Sequence, residues 1–240
     1  MRNSIAPLNA DKHLNIAIEE SKDFRRFAEQ HLIPVVFHEF QHLATEFPLV
    51  FVKNSETGQF IPVALMGIKN GLNLYCQQQE WQTILRPMGF NNAPLSLFKT
   101  DEKSDDVMVC VDESSELVVA KGGHRLFNDD KEQSDYLKAR TKALVDIASY
   151  SHQTANICQF LASKGLLTPK QLSVKLLKDE QVINIDGVYI VDEKQLNSLK
   201  NDDFLTLKEK GLLPLIYAHL TSLQQLARLI DKQNQYDLNQ

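Results

Sequence analysis

Cysteine is scarce in this chain. Cys76, Cys110 and Cys158 are the whole supply in 240 residues, and no two form a CxxC pair. A cysteine zinc knuckle and a thioredoxin-type redox motif are therefore excluded. Each thiol sits in an apolar run, the setting of a small buried hydrophobe rather than of a disulfide framework. Basic residues never run beyond pairs such as Arg25-Arg26, and 26 Lys and Arg stand against 31 Asp and Glu. The clustered positive footprint of a nucleic-acid-binding protein is missing, so no nucleic-acid partner is expected. No stretch approaches the ~18 uninterrupted apolar residues that span a bilayer. The opening MRNSIAPLNADKHLNIAI lacks the charged-then-apolar order of a signal peptide. A cytoplasmic protein with no membrane span is the expectation. The P-loop, the dinucleotide-binding GxGxxG and the nucleophile elbow GxSxG are missing too.

What is present suits a folded chain. Hydrophobic residues make up 43% and charged residues 24%, the proportions of an ordinary globular protein with its own core. Residues 14–18, 48–53, 61–68, 72–76, 94–98 and 107–112 read as short strands. Glu56-Thr57-Gly58 and Asn70-Gly71 separate some of them, and Asn-Gly is a turn signal because both residues accept positive φ. Short strands joined by tight turns imply an antiparallel sheet, since parallel neighbours need long crossovers. Residues 21–32 read as a helix capped by Ser21 and stopped by Pro34.

The second half is richer in helical pattern. Residues 132–163 predict one long helix or two broken ones, with Ala148, Ser151, Ala155, Cys158 and Ala162 as a small-residue face for close packing. Gly165 ends it, and Thr168-Pro169 reads as the cap and first turn of another helix. Residues 181–192 predict a hairpin turning at Asp186-Gly187. A last helix is expected from about residue 212 to 230. Its buried stripe would be Leu212, Ile216, His219, Leu223, Leu226 and Ile230. The fold class expected is α+β, with an antiparallel sheet in the N-terminal half and helices plus a hairpin in the C-terminal half. No linker or repeat divides the chain, so one domain over 1–240 is expected, with a helical subdomain from about residue 132.

One segment looks like chemistry. His38-Glu39-Phe40-Gln41-His42 matches HExxH. On a helix, residues four apart share a face, so His38 and His42 could hold one Zn²⁺ while Glu39 acts as base on its water. A catalytic zinc needs a third protein ligand, and none stands at a recognised spacing. Pro34 and Pro48 also leave only about three turns of helix. The bland alternative is a half-buried helix that carries two histidines. No cofactor is therefore expected, with zinc at His38 and His42 as the alternative. Trp81 reads as a core or rim anchor, or else as a ligand platform. His219, on an apolar stripe, reads as a hydrogen-bonded core histidine rather than a ligand. Asp101-Glu102 and Asp105-Asp106 lack the glycine of a calcium loop and read as a solvated turn.

A series of short segments follows a fixed order along the chain. It begins with Pro7-Leu8-Asn9 and His13, then Phe27-Ala28, His31 and Ile33-Pro34. Glu39-Phe40 runs into Phe47-Pro48-Leu49-Val50-Phe51, and Leu65-Met66-Gly67 precedes Gly71-Leu72-Asn73-Leu74. Trp81, Pro87 and Pro94 come next, then Cys110-Val111-Asp112-Glu113 and Leu126-Phe127. Gly165-Leu166-Leu167, Val191-Asp192-Glu193 and Ile216-Tyr217-Ala218-His219-Leu220 close the series. Read together, these segments resemble the SapC family, named for its association with bacterial surface layers. Asn91-Asn92 departs from the Arg-Arg pair usual at that place in the family, and amides bring no charge to a bidentate anion contact.

The resemblance implies an accessory role at the surface layer or envelope and no assigned activity. The first reading is thus a cytoplasmic accessory or binding protein, possessing a protein or small-molecule partner and linked to surface-layer or envelope export. The second is a zinc hydrolase built on His38, Glu39 and His42. The third is a small-molecule or peptide-modifying enzyme that gathers Trp81, Glu39 and His219, with Asn73 as a further binding candidate. The oligomeric state is left open.

Overall fold

Leu-Val-Phe-Val at 49–52 and Phe-Ile-Pro-Val-Ala-Leu at 60–65 are rich in branched and aromatic side chains that favour extended backbone. Asn54 turns the chain between them. Its Oδ1 accepts the N–H groups of Glu56 and Thr57 at 2.8 and 2.9 Å, and Gly58 takes a φ of 69°. The computed structural model describes residues 4–78, 81–100, 106–178 and 182–240. In it the two runs pair antiparallel, from Leu49 with Ala64 to Lys53 with Phe60. The acidic segment 101–105 lies outside the described residues.

In chain order the elements begin with β1 (Ile5–Pro7), α1 (Ala10–His13), β2 (Ala17–Ile18), β3 (Leu32–Pro34), α2 (Phe40–Leu43), β4 (Leu49–Lys53) and β5 (Phe60–Leu65). Next come β6 (Leu95–Lys99), β7 (Val107–Asp112), β8 (Val118–Val119), β9 (His124–Arg125) and α3 (Asp135–Ser163). The chain closes with β10 (Leu167–Lys175), β11 (Val182–Val191), α4 (Glu193–Asn197), α5 (Asn201–Glu209), α6 (Leu213–Ser222) and α7 (Leu226–Leu238). These strands pair antiparallel throughout. The fold is α+β.

Two compact units share these elements: Met1–Lys22 with Met88–Ser149, and Asp23–Pro87 with Tyr150–Gln240. The division falls inside α3, and the C-terminal helices group with β3, β4 and β5. The first unit has two small sheets, ordered β1-β7-β6 and β8-β2-β9. Ile18, Leu95, Val111, Leu126, Phe127, Leu137 and Leu144 form its core. The strand expected over 14–18 shrinks to β2 because Asn9 starts a helical turn just before it, accepting the N–H groups of Asp11 and Lys12.

The second unit has one five-stranded sheet, ordered β10-β11-β4-β5-β3. Two of its strands come from the C-terminal half, so the sheet is not confined to the N-terminal half. Pro34 sits in the edge strand β3, where a missing N–H costs no central ladder bond. The helix expected over 21–32 is reduced to a 3₁₀ turn at Arg25–Phe27. A tertiary bond overrides the local pattern there: Asn73 N–H takes the Ala28 carbonyl at 2.7 Å, and Leu32 pairs with Leu65. The strand expected over 72–76 is a turn, in which Cys76 N–H bonds the Asn73 carbonyl.

The C-terminal half differs in three further places. Thr168-Pro169 lies within β10 and caps no helix. The small-residue face of α3 is largely exposed at Ala148, Ser151 and Ala155, while Leu137, Leu144, Thr154, Cys158 and Leu161 are buried. The last helical stripe is buried at Leu212, Ile216 and His219. Then a 3₁₀ turn at Leu223–Gln225 advances three residues per turn instead of 3.6. That rotation leaves α7 burying Leu229, Gln233 and Asn234.

His219 ties α6 to the sheet. Its Nδ1–H donates to the Leu49 carbonyl at 2.9 Å, and its Nε2 accepts the Val191 N–H at 3.0 Å. Ser222, one turn on, accepts the Leu49 N–H at 3.0 Å and donates to the His219 carbonyl at 2.6 Å. Burial pushes the imidazole pKa down to about 4, against the opposing pull of the Leu49 carbonyl. The unfolded chain would protonate near 6.5, so this contribution is complete above that pH and is lost as pH falls toward 4. A displacement of that size corresponds to stability on the order of 3 kcal/mol. The stability advantage of wild type over His219→Gln, measured by urea unfolding, is expected to shrink by that order between pH 7 and pH 4. A difference that stays flat with pH overturns this account of the histidine.

Candidate functional site

Asp186 and Gly187 do not turn a hairpin. They sit within the ten-residue β11, opposite the single residue Gln171, between the pairs Lys170–Val188 and Leu172–Ile185. This is a β-bulge, with Gly187 at φ 74° in the left-handed region that glycine enters without penalty. Lys170 and Leu172, two apart on β10, share a face, so their partners Val188 and Ile185 must share one too. The extra residue therefore turns Ile185 to the side of Val188. Pairing of β11 with β4 is limited to Val188–Val52 and Tyr189–Phe51.

The facing rim is the loop 66–74. Leu74 N–H bonds the Met66 carbonyl at 2.8 Å, and Gly71 N–H donates to His31 Nδ1 at 3.2 Å. A Cβ built on Gly67 would stand 1.7 Å from the Leu72 carbonyl oxygen, so this loop closes only over glycine. Bulge and loop together bound a cleft of about 250 Å³. Its floor is aliphatic: Leu32 from β3, Val52 from β4, Leu65 from β5, Ile68 from the loop, and Ile185 and Val188 from β11. Its polar groups are His31, Asn70, Asn184 and Asp186.

Each polar group has a definable role. Since His31 Nδ1 accepts from Gly71, the ring proton lies on Nε2, and burial lowers the pKa. The imidazole is thus neutral at pH 7 and offers a donor. Asn184 Oδ1 accepts the Ser173 hydroxyl at 2.8 Å, which leaves its NH₂ to donate. Asp186 Oδ1 accepts Gln171 Nε2 at 2.7 Å, and its other carboxylate oxygen stays open. No ion pair engages Asp186 among the described residues. Gln171 and Ser173 alternate with Lys170 and Leu172 along β10. The Asp186 carboxylate and the Asn184 amide that they hold therefore face away from Ile185 and Val188. The polar residues beside the aliphatic floor are His31 and Asn70.

The residues singled out from the sequence lie elsewhere in this unit. A 3₁₀ turn at Phe37–Glu39 runs into α2, and Glu39, 5% exposed, closes it by accepting the Val36 N–H at 3.1 Å. His38 and His42 are exposed, and His38 stacks on Tyr150 with ring centroids 3.8 Å apart. The carboxylate points inward while the imidazoles point outward. Among the described residues no group of three or more His, Cys, Asp or Glu side chains could hold a metal ion. Asn73 is fully buried and accepts the Tyr75 N–H at 3.0 Å. Trp81 is half-buried, donates Nε1–H to the Leu85 carbonyl at 2.8 Å, and meets Phe24 and Tyr75 at 5.8 Å. Asn73 and Trp81 thus meet on Tyr75, whereas Glu39 and His219 each serve backbone groups.

The first unit has an ionic contact of its own. His13 is buried, accepts the Asn9 N–H on Nδ1 at 2.9 Å, and stands 2.8 Å from Glu113 Oε1 through Nε2. Lys12 and His13 hold the Glu113 carboxyl down to about 2. Asn9, His13 and Glu113 all belong to the segments that resemble SapC, and here they fasten α1 to the end of β7. The thiols are buried, and burial pushes Cys76 and Cys158 up to about 12. Protonated thiols make poor nucleophiles.

Sequence reasoning passed over Asn70, Asn184 and Asp186 because their neighbours Gly71 and Gly187 read as turn glycines. His31, Gly67 and Gly71 stood among the SapC-like segments, and that was the available signal. Gly67→Ala is expected to cost about 2 kcal/mol or more in thermal or urea unfolding, because backbone must shift. A variant as stable as wild type would contradict the closure of this loop. Glu39→Ala is expected to cost about 1 kcal/mol, the usual worth of a side-chain cap. Unchanged stability would instead return Glu39 to the pool of candidate bases.

The model of the SapC family matches residues 8–229 of the 240. No curated protein and no solved structure matches the chain. The family match takes in both rims of the cleft, the His219 anchor and the His13–Glu113 contact. The chain belongs to the SapC family.

Proposed function

We propose that this chain is a non-catalytic binding protein whose ligand occupies the cleft between the β11 bulge and the loop 66–74. The observation that carries this reading is the aliphatic floor of Leu32, Val52, Leu65, Ile68 and Val188 beside the polar residues His31 and Asn70. Small-molecule sites combine apolar walls with a few placed polar groups. Geometry elsewhere supports binding over catalysis. The buried His219 and Glu39 hold backbone, and His31 has Gly71 as its hydrogen-bond partner rather than a nucleophile. The cellular role proposed is that of a cytoplasmic accessory to envelope or surface-layer export, which the family name favours.

The reading is tested by screening small fragments against the ¹⁵N-labelled full chain by NMR. Binders are expected to shift the amides of His31, Asn70, Asn184 and Asp186. Val52→Phe, which adds bulk to the floor, is expected to abolish those shifts while leaving the fold intact by circular dichroism. Binders that act only on distant residues, or that ignore Val52→Phe, overturn the assignment of the cleft.

A further inference from the structure

Resting on that reading of the cleft, we infer that the C-terminal helix α7 is a strap that ties the two rims together and sets how wide the cleft stands. The loop 66–74 is fastened to it through Lys69, which lies between the lining residues Ile68 and Asn70. Lys69 Nζ donates to both oxygens of the Asp237 carboxylate, at 2.8 and 2.9 Å. Asp237 is buried, and Gln233, one turn earlier on α7, donates Nε2–H to its Oδ1 at 2.9 Å. The carboxylate is thus fixed in place for the lysine, and a buried carboxylate that loses such a partner is costly to keep.

The opposite rim is fastened to the same face of the helix. Asn234 precedes Asp237 by three residues, the spacing of neighbours on one helical face. Its Oδ1 accepts the Leu177 N–H at 2.9 Å, and Lys178 Nζ donates to the Asp237 carbonyl at 3.3 Å. Leu177 and Lys178 lie just beyond the end of β10, so these bonds hold the far end of the β10–β11 arm. Pairing of that arm with β4 stops at Val188–Val52. Among the described residues no backbone hydrogen bond joins the loop 66–74 directly to β10 or β11. Arg228, in the first turn of α7, pairs with Glu46 just after α2. Anchored there, the helix presents its later turns to both rims at once. Freeing one rim loosens the strap, and through it the other.

The test reads amide hydrogen exchange by NMR on the full chain, in variants that each cut one tie. Lys69→Met removes the ammonium and keeps the reach of the side chain. It is expected to speed exchange of the amides of residues 182–185, on the far rim, about fivefold. Asn234→Ala cuts the other tie and is expected to do the same to the Gly71 amide. The Leu49 amide, held by Ser222, is the reference and is expected to stay within about twofold in both variants. Titration with isoamyl alcohol, a branched aliphatic probe, is expected to show binding to the wild-type cleft that Lys69→Met weakens by about the same fivefold. Exchange that quickens only on the side of the substitution, or at Leu49 as much as at the rims, overturns the strap. Coupled exchange with unchanged affinity for isoamyl alcohol overturns its control of the cleft. Coupled exchange in a wild type whose cleft amides ignore isoamyl alcohol upholds the strap and counts against the cleft as a binding site.

Discussion

A buried imidazole bridges two strands that are far apart in sequence, and the sheet of the second unit depends on it. Leu49 begins β4 and Val191 ends β11, and His219 reaches the carbonyl of one and the N–H of the other from α6. Ser222 takes the N–H of Leu49 from the same helix. Without these side chains, buried backbone groups would be left unmatched, and each such group costs about 1–3 kcal/mol. Neutrality is what lets the ring serve. A proton on Nε2 would set donor against donor at Val191. The same demand that depresses its pKa therefore makes His219 a structural group and removes it from the set of candidate ligands.

Anchoring at one end of β11 makes the irregularity at its other end useful. Beyond Val188 the strand is released from β4 and bends at the bulge, where Ile185 is turned to the face that Val188 occupies. Across from it, Gly67 lets Leu72 approach to a distance that no side chain would permit, and Gly71 hands its N–H to His31. The cleft is thus a product of two glycine-dependent distortions set on a sheet held rigid elsewhere. Such a cavity can be shaped with few polar groups, because backbone geometry supplies the concavity.

The class of the fold was legible, and so were β4, β5, β6 and β7, where alternation and turn chemistry agree. The helix expected over 21–32 fails because its apolar spacing is satisfied instead by Phe24 and Phe27 packing against each other and Phe24 against Trp81. A single chain holds no record of that tertiary competition. Asp186-Gly187 shows a finer ambiguity. A type I′ turn and a G1-type bulge both call for glycine at positive φ. Only the length of extended backbone on either side separates them, and reading Thr168-Pro169 as the start of a helix denies β11 its partner. Once β10 is a strand, the bulge follows, and with it Asn184 and Asp186 take their places at the site. HExxH was misleading for a related reason: the spacing is local, but whether Glu39 faces the histidines depends on which side of a short helix is buried.

Chemistry in this chain is constrained as much by what its reactive groups already do as by what they are. His13 meets Glu113, Glu39 meets Val36, His219 meets Leu49 and Val191, and the thiols are held protonated by burial. The cleft retains a neutral histidine and the Asn70 amide beside its aliphatic floor. Recognition asks less of a site than turnover does: complementarity to one ground state is sufficient, whereas catalysis needs groups matched to a charge that develops later. An aliphatic floor with two polar neighbours meets the first requirement, and the binding role proposed for the cleft rests on it.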